Sequence, residues 1–90
     1  MKKFQADELD VAESHAVATF SAVDSEIMGG LWGWILEDVE HLRSDGMSDD
    51  EVTDAIVGAM HDCIPFFEHQ PEIRHNAIRV VKAMIRQALH

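Results

Sequence analysis

Apolar residues recur at steps of three and four along four stretches of the chain, and each stretch is bounded by residues that start or stop helices. The clearest is Val52, Ala55, Ile56, Ala59, Met60 and Cys63, one stripe on a helix. Ser48-Asp49-Asp50-Glu51 ahead of it reads as a capping box. The Ser48 hydroxyl can accept from the Glu51 amide while the Glu51 carboxylate reaches back. Met47 and Val52 flank the cap as a hydrophobic staple, and Pro65 stops the helix. A last helix starts at Pro71, with Glu72 in the favourable first turn. Its apolar face is Ala77, Ile78, Val81, Met84, Ile85, Ala88 and Leu89. The first helix is expected from Ala6 to Val23, with Leu9, Ala12 or Glu13, Ala16, Val17, Phe20 and Val23 inward and Asp7, Glu8 and Asp10 in its first turn.

The second helix, about 25–44, is unusual. Ile27, Met28, Leu31, Trp32, Trp34, Ile35, Leu36, Val39 and Leu42 cover about 200° of its circumference, twice what a surface helix needs. Gly29, Gly30 and Gly33 lie beside that arc, each costing roughly 1 kcal/mol relative to alanine. Close approach by another helix would compensate, so this helix is expected at the centre of the fold or at a subunit contact built from Gly29, Gly30, Trp32, Gly33 and Trp34. Ser44-Asp45-Gly46 ends it, with Gly46 past the last turn. Helices at about 6–23, 25–44, 49–63 and 71–89, joined by short loops, predict an all-α fold. The expected form is one domain over residues 1–90, a compact antiparallel bundle that pairs with a second copy.

Composition agrees with that class and sharpens one point. Apolar residues at 47% and charged residues at 27% are globular values, so disorder is not expected. The opening MKKFQADELD has no apolar run after its lysines, and Ile27–Leu36 falls short of the roughly 20 residues that span a bilayer. No leader or membrane segment is expected, and the cytoplasm is the default compartment, where the lone Cys63 stays a reduced core thiol. Charge is the sharper feature. Residues 7–68 hold 16 of the 17 acids and one base, Arg43, whereas residues 69–90 hold Arg74, Arg79, Lys82 and Arg86 against Glu72. Such a surface repels nucleic acid and anionic membranes and attracts cationic proteins.

Candidate chemistry is sparse. Glu72 and His75 have the Glu-x-x-His spacing of di-metal bundles, and Glu37 and His41 lie four apart, with Glu68 and His69 near a turn. A complete site needs a second such motif, so neither a metal nor any other cofactor is expected. Cys63 and His61, two apart on a helix, point to different sides and form no catalytic dyad. Phosphate loops and nucleotide fingerprints are absent from the sequence, and a non-enzymatic role is expected. Phe66 and Phe67 either plug one end of the bundle or anchor a contact.

The favoured expectation is an acidic binding module for a basic protein, with Asp7, Asp10, Glu37, Glu40, Asp50 and Asp54 as its surface. Inhibitors of basic nucleases or nucleic-acid-binding complexes, of the phage or plasmid counter-defence and immunity kind, belong to this class. One alternative is a homo-oligomeric scaffold or adaptor. The other is a metal- or small-molecule-binding bundle using Glu37, His41, Glu72 and His75. A basic stripe of His75, Arg79, Lys82 and Arg86 is either an anion or partner surface or a solvated face set against the chain's own acids.

Overall fold

The computed structural model describes residues 2–63 and 70–90, apart from the side chain of Cys63. A 3-10 turn, Ala6–Glu8, leads into helices α1 (Val11–Val23), α2 (Ser25–Ser44), α3 (Asp49–Cys63) and α4 (Pro71–Leu89). The described residues contain no strand, and the four helices pack around one core. None of the described helices is long and apolar enough to cross a membrane.

Helix boundaries follow the local chemistry. The Ser48 box forms as expected: the Glu51 amide donates to Ser48 Oγ at 3.2 Å, and the Ser48 amide donates to Glu51 Oε1 at 3.1 Å. At the end of α2, Gly46 takes a φ of +86°, the Gly46 amide donates to the Arg43 carbonyl and the Met47 amide to that of Leu42. This is the Schellman closure, reached at glycine without a Cβ penalty. Asp24 caps α2 by accepting from the Ile27 amide at 3.0 Å.

The expected first helix, 6–23, is corrected at its start. Leu9 is extended, Asp10 is the cap and α1 begins at Val11. Asp10 Oδ1 accepts from the Glu13 amide at 2.7 Å, and the Asp10 amide donates to Glu13 Oε1 at 3.1 Å. A second capping box therefore separates the acidic turn from the helix. Of the expected inward face, Glu13, Ala16 and Phe20 are buried, whereas Val23 is 49% exposed.

Both α2 and α4 contact all three other helices, and α1 packs chiefly against α4. Ala77, Val80, Val81, Ala83, Met84, Ile85 and Gln87 are buried on α4, an arc of about 200°. On α2 only Leu31, Ile35 and Val39 are fully buried, while Ile27, Met28, Trp32, Trp34 and Leu42 lie half-buried at the margin of the core. Among the described residues, a Cβ on Gly29, Gly30 or Gly33 would meet nothing within 4 Å, so close approach by those residues does not explain these glycines. On α3, Val52, Ile56 and Met60 are buried but Ala55 is exposed. The core expectation for the Cys63 side chain and the roles considered for Phe66 and Phe67 lie outside the described residues.

Candidate partner-binding surface

All six acids singled out from the sequence are exposed, but they do not form one group. Asp7 lies in the 3-10 turn, and Asp10 is spent on the α1 cap. Glu37 and Glu40 are on α2, and Asp50 and Asp54 lie one turn apart on α3. Glu37 and Glu40 line a groove of about 790 Å³ whose other walls include Lys2, Gly33, Leu36, Val39, Arg43 and Ala88. Among the described residues, the side chains of Glu37, Glu40, Asp50 and Asp54 make no hydrogen bond or ion pair, so they stand hydrated and free to meet a cation.

The basic stripe faces the chain's own acids. Arg86 grips Glu13 with two bonds, Nη1 to Oε2 at 2.6 Å and Nη2 to Oε1 at 3.0 Å. This fork holds the Glu13 carboxyl below its ordinary value of 4.5, against the opposing effect of burial and with help from the Asp10 amide. Glu13 in turn raises the Arg86 guanidinium, with Asp10 and Glu8 adding smaller attraction. Arg79 Nη2 lies 3.2 Å from His75 Nε2. Arg79, Lys82 and His75 line a shallow groove together with Asp10 and Glu13. The stripe is therefore set largely against the acidic start of α1.

The formal charge is unevenly divided along the chain. Residues 24–63, which comprise α2, α3 and their caps, hold eleven acids and one base, Arg43, a net of −10. The remainder holds six acids and six lysines and arginines, a net of zero. The whole formal charge of the molecule, −10, is thus carried by the α2–α3 pair.

The metal candidates do not converge. Glu37 lines the α2 groove, whereas Glu72 and His75 line another between α1 and α4 with His15, Thr19 and Phe20. His41 lies 3.8 Å from Asp45. Among the described residues no three His, Cys, Asp or Glu side chains are grouped as metal ligands. Glu68 and His69 lie outside those residues.

Two important side chains were not singled out as sites from the sequence. Glu13 had a signal, a carboxylate on an apolar stripe three residues after Asp10. Gln87 had little, because its side-chain partner, Gln5, lies 82 residues away. Its side chain, in a residue only 7% exposed, pairs with both backbone groups of Gln5. Comparison of this chain with protein-family models, curated proteins and solved structures found no match.

Proposed function

We propose that this chain is a small non-catalytic binding module whose α2–α3 pair docks on a cationic protein. The observation that carries this reading is the location of the entire net charge on those two helices, with Glu37, Glu40, Asp50 and Asp54 exposed and unengaged among the described residues. Cationic surfaces that grip phosphates are the natural complement, and complementary potential speeds encounter and selects partners. The partner class that fits is a nuclease or nucleic-acid-binding complex. Carboxylates on two packed helices would occupy its lysines and arginines in place of nucleic acid and so inhibit it. The test is affinity capture at low and moderate salt, comparing the natural chain with the variant Glu37→Gln, Glu40→Gln, Asp50→Asn, Asp54→Asn. Basic proteins held by the natural chain and lost from the variant support the reading. Equal capture by both removes it.

A second reading, a homodimer acting as scaffold or adaptor, is favoured by one observation. The flank of Gly29, Gly30 and Gly33 is open, beside the half-buried Trp32 and Trp34. A second copy laid along α2 would supply the close approach that the described residues do not. Light scattering tests this: a strictly monomeric mass at high micromolar concentration counts against it.

A further inference from the structure

Residues 2–5 run as an arm across the C-terminal end of α4 and the face of α2, held by groups that read backbone and charge. The Gln5 amide donates to Gln87 Oε1 at 2.8 Å, and Gln87 Nε2 donates to the Gln5 carbonyl at 2.9 Å. One buried carboxamide thus takes both polar groups of a single residue, as a neighbouring strand would. The Trp32 indole donates to the Lys2 carbonyl at 3.1 Å, and the Phe4 ring packs on the Trp32 ring with centroids 5.3 Å apart. The Lys2 ammonium donates to the Gln87 carbonyl, in the last turn of α4. That carbonyl also accepts from the His90 amide at 3.3 Å, and the negative end of the helix dipole favours a cation there. The groove containing Glu37 and Glu40 adjoins Lys2.

We propose that this slot is a recognition site for an extended segment of a cationic partner with the pattern cation, any residue, aromatic, any residue, and that the chain's own Lys2-Lys3-Phe4-Gln5 occupies it in cis. The inference rests on the cationic-partner reading and gives it a location and a regulator. Every bond that holds the arm can be supplied by another extended segment of that pattern. The carboxylates beside Lys2 then meet further basic residues of the incoming chain. Because the arm is tethered, its effective concentration is high, on the order of millimolar. A partner therefore competes against a built-in occupant, and loosening the arm strengthens binding.

A fluorescein-labelled peptide of the chain's own residues 2–7, titrated by anisotropy into full-length protein, tests this. Phe4→Ala removes the arm's aromatic anchor and leaves the slot intact, so it should bind the peptide about tenfold more tightly than the natural chain. Adding Gln87→Ala, or Glu37→Gln with Glu40→Gln, should reverse that gain. A peptide with glutamates in place of both lysines should bind at least about tenfold more weakly. Equal affinity of Phe4→Ala and the natural chain overturns the slot, as does indifference to Gln87→Ala in a variant that remains folded by circular dichroism. Capture of basic proteins that depends on Asp50 and Asp54 but ignores Phe4→Ala and Gln87→Ala overturns the slot alone. Gln87-dependent, lysine-dependent peptide binding without any captured basic protein supports the slot and counts against the wider reading.

Discussion

Glu13 does two jobs with one carboxylate: it closes the α1 capping box and it receives the Arg86 fork. Glu13→Ala should cost about 2 kcal/mol in urea unfolding, since a charge-assisted pair and part of a cap are lost together. The pH dependence has a definite sign. The folded carboxyl titrates below its ordinary value of 4.5, so its contribution is complete above that pH and fades as pH falls through the lowered value. Glu51, held down by the Ser48 amide and hydroxyl, shifts in the same direction. Unfolding free energy measured between neutral pH and pH 3 should fall in this acid window, and Glu13→Gln should flatten the fall. Ser48→Ala should cost about 1 kcal/mol. The Ser48 cap was legible because all its parts lie within four residues. The Arg86 fork was not, because its partners are 73 residues apart and many carboxylates compete for one guanidinium.

Among the helices, sequence pattern located each element better than it ranked their burial. The wide apolar arc of α2 suggested a central helix, yet its tryptophans are half-buried and its glycine flank is open. Both α2 and α4 touch the other three helices, but α4 places more of its side chains, Ala77, Val80, Val81, Ala83, Met84 and Ile85, fully in the core. Periodicity counts apolar positions and does not say how fully each is covered. Gly30→Ala should accordingly raise stability by about 1 kcal/mol, as helix propensity gains and nothing is displaced. Gly46→Ala should lower it by a similar amount, about 1 kcal/mol, because φ there is +86°. Thermal melts of the two variants should therefore move in opposite directions.

For the molecule as a whole, charge segregation along the sequence becomes a different segregation in space. Folding sets the basic α4 against the acidic start of α1, and α2 with α3 is left carrying the net charge. The negative balance was legible from composition. Its confinement to the α2–α3 stretch is also a count along the chain, residues 24–63; what folding adds is the Arg86–Glu13 pair that sets a base of α4 against α1. Asp7 and Asp10 accordingly leave the proposed docking set, while Glu37, Glu40, Asp50 and Asp54 remain. The most direct measurement compares pairwise neutralised variants for affinity toward an oligolysine peptide at moderate salt. Glu37→Gln with Glu40→Gln, and Asp50→Asn with Asp54→Asn, should each weaken binding several-fold, whereas the control Asp7→Asn with Glu72→Gln should change it little. Equal losses from all three pairs would show that only total charge matters and would contradict the account.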